Sequence, residues 1–200
     1  INKTAGITTD GKLILDGTYW FHSKNDNLYE RYDLLNLFIQ SVEKIAIEDS
    51  IQFNELITRY SDSKYVTLLR VLIFGYIKNP KLYYDQALIT IFNIYNENSF
   101  LYNDSLLFYV RELITQIYPF LSYNQKKELN SILLSINDSS ENEVYIHPVS
   151  NKKTYRNYKG YLKYKFLQAI PQQEILNFPI IKNEILMLHR RFGKVKDKEP

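Results

Sequence analysis

The sequence predicts an all-α protein, an irregular α-solenoid of HEAT/TPR-like antiparallel helix pairs with a short extended or hairpin segment at the N-terminus. Three observations predict it. Glycine and proline together make only 12 of 200 residues, too few turn formers for a many-stranded sandwich. From Leu28 onward apolar residues recur at the three-and-four spacing of a buried helical stripe. Helix start and stop signals punctuate that pattern with connections of a few residues, and short connections make sequential helices antiparallel neighbours. No strict period repeats along the chain, so a closed irregular bundle is the structural alternative.

Residues 1–27 stand apart. They hold Gly6, Gly11 and Gly17, three of the six glycines, and a short apolar run, Lys12–Asp16, between two Asp-Gly turn signals. This reads as an extended or hairpin linker. Residues 28–193 read as the helical repeat domain. Leu28, Tyr32, Leu35, Phe38, Ile39, Val42 and Ile45 mark its first helix. A second covers Ile51–Tyr60. Ser61-Asp62-Ser63 offers N-cap chemistry for a third over Lys64–Lys78. Asn79-Pro80 ends that helix, because the residue before proline avoids the α region while proline suits a helix start. The fourth runs over Lys81–Glu97 and the fifth from Asp104 to Tyr118, closed by Pro119. Ser122 and Gln125 have capping-box spacing for a sixth, ending near Ile136. The loop 137–151 is the longest break and divides the domain. Helices over Lys153–Ala169, Pro171–Asn177 and Pro179–Phe192 follow, the last stopped by Gly193 as C-cap. Residues 194–200 form a charged tail.

Composition excludes several classes of chemistry. With no cysteine there are no disulfides, thiolate zinc sites, iron–sulfur clusters or cysteine nucleophiles. No apolar run approaches the ~18–20 residues of a membrane span, and no apolar leader opens the chain, so a cytoplasmic location without a membrane partner is expected. The first residue is Ile1, which points to a segment of a longer protein. Gly193-Lys194 is the nearest approach to a phosphate-binding loop, but Leu188 and Val195 occupy the places of its first glycine and its hydroxyl residue. His22, His147 and His189 lack metal-ligand spacing, and there is no nucleophile elbow. No catalytic residue, resident cofactor or metal ligand is assigned. An enzyme would need a site assembled from distant residues, gathering one of these histidines with carboxylates.

Charge is unevenly spread. Residues 1–143 carry 13 basic and 18 acidic groups, net −5, and residues 144–200 carry 12 and 4, net +8. Six basic groups fall in 152–166 with no acid between Val144 and Gln173. Tyr155, Tyr158, Tyr161 and Tyr164 recur there every third residue; on one helix that spacing steps back about 60° per ring, so the four wind halfway round it. Basic groups interleaved with aromatics can follow a nucleic-acid strand. They also suit a helix that buries its rings and snorkels its lysines. Tyr155, Arg156, Tyr158, Lys159 and Lys163, with Arg190 and Arg191 near the C-terminus, are the candidate partner-binding residues.

Four blocks carry a family resemblance. The first, within Ser63–Leu88, is YVTLLRVLIFGYIKNPKLYYDQAL, a helix ending in Asn-Pro before an aromatic-acidic step. The second is SLLFYVRELITQIYPFLSYNQKKELNSIL, with Arg111-Glu112-Leu113-Ile114 and Glu128. The third is GYLKYKFLQAIPQQEI, with Leu167, Ala169, Ile170 and Pro171 in order. The fourth is Leu188-His189-Arg190-Arg191-Phe192-Gly193. In order and spacing these resemble the C-terminal helical sensor region of antiviral STAND NTPases, the AVAST family, over roughly 61–200, with weaker similarity around Trp20-Phe21-His22. The resemblance implies an antiphage sensor whose helical array binds a phage protein, the terminase large subunit or the portal. Binding would drive homo-oligomerisation and effector activation. ATP and magnesium would be held by the parent NTPase domain, outside this segment, and the array would contact the rest of its own longer chain. An unrelated α-solenoid adaptor and a nucleic-acid contact through 152–166 are the alternatives.

Overall fold

The computed structural model describes residues 30–96, 104–137, 144–146, 153–155 and 158–194. The predicted hairpin linker 1–27, Arg156 and the tail beyond Lys194 lie outside them. Nine α-helices, one short 3-10 helix and one two-stranded ribbon account for the regular structure among the described residues. The chain divides into two compact units, the first ending at Leu121 and the second beginning at Ser122.

The first unit holds α1 (Glu30–Glu48), α2 (Ser50–Tyr60), α3 (Val66–Lys78), α4 (Pro80–Asn96) and α5 (Asp104–Ile117). A single residue, Asp49, joins α1 to α2. Its N–H closes α1 by donating to the Ile45 carbonyl at 2.8 Å, and its carboxylate accepts from the Gln52 N–H at 3.0 Å, capping α2. Asn79 joins α3 to α4 in the same economical way, and α4 begins on Pro80, where a missing N–H leaves no bond unmade. The Asn79 side chain donates to the Ala46 carbonyl of α1 at 3.3 Å, tying this joint to the first helix.

α3 is the centre of the unit. Leu69 through Tyr76 are all buried, the pattern of a helix covered on every side. It packs on α1, α2, α4 and α5. The others present single stripes: Ile39, Val42 and Ala46 on α1, Phe53 and Ile57 on α2, Tyr83, Ala87, Ile91 and Ile94 on α4. α1 meets its second neighbour α3 as well as α2, and α5 meets α3 as well as α4, the stacking of a helical repeat. Buried Arg70 of α3 is covered by the Tyr109 ring of α5, with its guanidinium 5.1 Å from the ring centroid.

Ser61-Asp62-Ser63 does not cap α3. The N-cap is Tyr65, which makes no side-chain cap bond; Ser63 Oγ instead accepts from the Tyr65 N–H at 3.1 Å. The hydroxyl satisfies a turn two residues ahead, an outcome that competes with capping for every serine before a helix. Pro119 behaves as predicted: α5 stops at Ile117 and a 3-10 turn covers Tyr118–Phe120.

The second unit holds α6 (Tyr123–Ser135), strands β1 (Val144–Ile146) and β2 (Lys153–Tyr155), α7 (Tyr161–Leu167), α8 (Gln172–Ile175) and α9 (Pro179–Phe192). α6 starts with the predicted capping box. Gln125 N–H donates to Ser122 Oγ at 3.4 Å, and the Ser122 N–H donates to Gln125 Oε1 at 2.9 Å. α9 ends at Gly193, whose φ of 70° suits glycine and whose N–H returns to the His189 carbonyl at 2.8 Å.

The predicted helix over Lys153–Ala169 is corrected. Its first residues are β2, antiparallel to β1, with Val144 opposite Tyr155 and Ile146 opposite Lys153. Only Tyr161–Leu167 is α-helical. Two causes compete successfully with helix here. Val144, Ile146, Thr154, Tyr145 and Tyr155 are β-branched or aromatic, and suit a pleated ribbon. Gly160 takes φ +86° and becomes the N-cap of α7, so the chain cannot run helically through it.

A basic, apolar face on the second unit as candidate functional site

α7 lies against α9, and one aromatic joint fixes them. Tyr164, fully buried on α7, places its hydroxyl 2.7 Å from His189 Nδ1 and 3.1 Å from the Gly193 carbonyl oxygen. Its ring stacks on Phe192 with centroids 6.2 Å apart, and Tyr161 meets the same Phe192 edge-on at 5.4 Å. Burial raises the Tyr164 phenol above its ordinary value. Leu188 fills the remaining space, with its Cδ2 3.1 Å from where a Cβ on Gly160 would sit.

The carbonyl of Gly193 can only accept, so the Tyr164 hydroxyl donates there. With that hydrogen committed to the carbonyl, the Tyr164 oxygen is the acceptor at the shorter contact in the tautomer that carries a hydrogen on His189 Nδ1. His189 is thus engaged as a structural partner of Tyr164. His22 and His147 lie outside the described residues, and no group of three or more His, Asp or Glu that could hold a metal occurs among the described ones.

The partner-binding residues predicted from sequence are dispersed in part. Tyr155 is a strand residue of β2, and Arg156 is outside the described residues. Tyr158 precedes α7 and is half exposed, its ring edge-on to Tyr161 at 6.0 Å. The four tyrosines therefore do not share one helix. Two lie before α7, and Tyr161 and Tyr164 pack against α9. Lys163 turns to Glu184 at 3.5 Å. Lys159, Arg190 and Arg191 are exposed, and Arg191 sits 5.2 Å over the Phe192 ring.

What the sequence reading missed is the outer side of α9. Ile181 and Leu188 face inward, yet Ile180 is 72% exposed, Met187 54% and Leu186 47%, with Leu176 at 68% just before the helix. The signal was present: α9 carries Ile180, Ile181, Ile185, Leu186, Met187, Leu188 and Phe192, more apolar positions than one buried stripe needs.

Exposed charge in the segment 158–194 is one-sided. Among the described residues 158–194 the acids are Glu174 and Glu184, and both are ion-paired, Glu174 to Lys126 at 2.9 Å and Glu184 to Lys163 at 3.5 Å. The exposed charged residues there, Lys159, Lys182, Arg190, Arg191 and Lys194, are all basic. A surface with several bare aliphatic side chains suits association with another macromolecule.

In the first unit a cavity of about 280 Å³ lies between the α2–α3 turn, Ser61–Lys64, and the end of α4 at Asn93 and Asn96. No described helix is long and apolar enough to cross a membrane. In comparisons with known proteins, no family model, no curated protein and no solved structure matches this chain.

Proposed function

We propose that this chain is a non-catalytic sensor or scaffold segment of a larger antiphage STAND ATPase, binding a phage protein, terminase large subunit or portal, to trigger oligomerisation and effector activation. The observation that supports the interaction part is the outer face of α9, where Ile180, Leu186 and Met187 are left exposed. The antiphage part rests on the resemblance of the four sequence blocks. Those blocks fall on the α3–α4 joint, on α5 with α6, on α7 with α8, and on the last turn of α9.

The test has two steps. The parent reading frame upstream of Ile1 is sequenced; an NTPase core with a phosphate-binding loop is expected. The full-length parent is then co-expressed with terminase large subunits and portals, and co-purification is measured. A stable complex with one of them is the expected result. A frame without an NTPase core leaves the adaptor reading in its place, and a parent that retains no terminase or portal overturns the antiphage one.

A further inference from the structure

We infer that the cavity between the α2–α3 turn and the end of α4 is a binding site for an uncharged, polyhydroxylated small molecule of monosaccharide size. This goes beyond the proposed function and does not depend on it.

The cavity has a floor and two walls. Leu69 of α3 and Ile94 of α4, each 2% exposed, form the floor. Asn93 and Asn96, three residues apart on one face of α4, form one wall. The α2–α3 turn forms the other, and its backbone is pinned. The Ser61 N–H donates to the Ile57 carbonyl at 2.8 Å, the Ser63 N–H to the Tyr60 carbonyl at 3.0 Å, and the Tyr65 N–H to Ser63 Oγ at 3.1 Å. The last bond is the one that takes Ser63 away from capping α3. It uses the hydroxyl oxygen and leaves the hydroxyl hydrogen to donate. This wall is preformed, so a ligand does not have to order it. Among the described residues, Asp62, Asn93 and Asn96 make no side-chain hydrogen bond or ion pair, so their capacity is unspent.

The lining selects the ligand. No aromatic ring borders the cavity, so a nucleobase has nothing to stack on. Its one cation, Lys64, is already engaged within the protein and stands two residues from Asp62, so a free anion meets no excess of positive charge. The same engagement leaves the carboxylate of a zwitterionic amino acid without a dedicated partner. One carboxylate beside a lysine does not suit a divalent cation. What the cavity offers is two carboxamides that both donate and accept, a carboxylate that accepts, and a serine hydroxyl, above a small aliphatic floor. Neighbouring hydroxyls on a carbon skeleton match that set. They donate to Asp62 and exchange hydrogen bonds with Asn93 and Asn96, while the C–H face rests on Leu69 and Ile94. The volume, about 280 Å³, equals about nine waters at ~30 Å³ each and lies just below the ~300–1,000 Å³ of drug-sized pockets, which suits a single sugar ring.

The test is saturation-transfer NMR on the full chain with glucose, galactose, N-acetylglucosamine, ribose and inositol, and with leucine and inorganic phosphate as counter-probes. At least one polyol is expected to bind at about a millimolar, and to shift the side-chain amide signals of Asn93 and Asn96. Asn93→Ala combined with Asn96→Ala, and separately Asp62→Ala, are each expected to weaken that polyol by about tenfold or more. Lys159→Ala, in the second unit, should leave its affinity unchanged. All four positions are exposed, and an unchanged circular dichroism spectrum and melting temperature identify variants that have kept their fold. The amide shifts are read on the wild-type protein and decide the question even where a variant does not fold. Four results would overturn the inference: no polyol bound, leucine or phosphate bound as tightly as the best polyol, a polyol that binds without moving the two amide signals, or equal affinity in wild type and both cavity variants. Neither the parent protein nor a phage protein enters this assay, so its failure and a failure of the terminase and portal co-purification are read separately.

Discussion

The ring of Phe53 on α2 lies directly against the backbone of Gly75 on α3. A Cβ built on Gly75 would stand 2.3 Å from Phe53 Cζ and 2.4 Å from Cε2, well inside contact distance. The ring has little room to retreat, since Tyr76 and Tyr83 pack edge-on to it at 5.7 and 4.7 Å. Helix propensity favours Gly75→Ala by ~1 kcal/mol. Overpacking a closed core opposes it by typically ~1–3 kcal/mol, and more when aromatic neighbours are fixed. The clash should win, and Gly75→Ala is expected to lower stability by a net of up to ~2 kcal/mol in urea unfolding. Phe53→Leu makes room but leaves a cavity. The double variant should therefore be more stable than the sum of the two single losses, and strict additivity would show that the contact is not what sets this position.

Tyr76 gives an alkaline signature. Burial raises its phenol to about 12 against an ordinary 10.0, and the bond to Thr90 at 3.3 Å only partly offsets this. Below pH 10 folded and unfolded chains both hold the proton. Above it the unfolded chain ionises first, so stability falls as pH climbs from 10 through about 12. The loss from this group is ~2–3 kcal/mol at the top of that window. Tyr83 and Tyr164, also raised by burial, act in the same direction. In Tyr76→Phe the hydrogen bond is gone, costing ~0.5–1.5 kcal/mol at neutral pH. Its stability should then decline less steeply across the alkaline window. Equal slopes for the two proteins would count against a buried, proton-holding Tyr76.

The capping box at the start of α6 is expected to be worth an ordinary amount. Ser122 is exposed, so its replacement leaves no buried group without a partner. Ser122→Ala should cost about 1 kcal/mol, and Ser122→Asp should retain most of the stability, because a carboxylate can accept the same N–H and suits the helix N-terminus. Thermal melts of the three proteins read this directly. Equal melting temperatures for wild type and Ser122→Ala would mean that water serves the Gln125 N–H as well as the serine does.

These positions also show which features local chemistry encodes. Ser122 with Gln125, Asn79 with Pro80, and Gly193 after Phe192 each solve a problem at one helix end with residues a few positions apart, and each is legible as spacing. Ser63 looked equivalent and was not, because its hydroxyl had a nearer taker in the Tyr65 N–H. The ribbon of Val144–Ile146 with Lys153–Tyr155 was hidden for a different reason. Three-residue strands have no periodicity to detect, and their pairing joins residues across a loop. The outer face of α9 needed the burial of each apolar residue. Sequence places Ile180 and Ile181 side by side, and only packing tells that Ile181 is covered and Ile180 is not.

The joint between α7 and α9 yields a prediction about a single proton. Tyr164 has one hydroxyl hydrogen and two neighbours, the Gly193 carbonyl at 3.1 Å and His189 Nδ1 at 2.7 Å. Because the carbonyl cannot donate, the hydrogen in the shorter contact must come from the imidazole. Neutral His189 should therefore be the Nδ1–H tautomer, the minority form of a free imidazole, visible in the long-range ¹H–¹⁵N pattern of its ring. In Tyr164→Phe that preference should vanish, and the Gly193 carbonyl should lose its side-chain donor. Two hydrogen bonds at a buried hydroxyl put the expected cost at ~1–3 kcal/mol. His189→Asn can present an amide N–H to the same oxygen and should recover more stability than His189→Leu. An Nε2–H tautomer in the wild-type protein would reverse the assigned direction, leaving Tyr164 to donate to His189 and the Gly193 contact without a hydrogen.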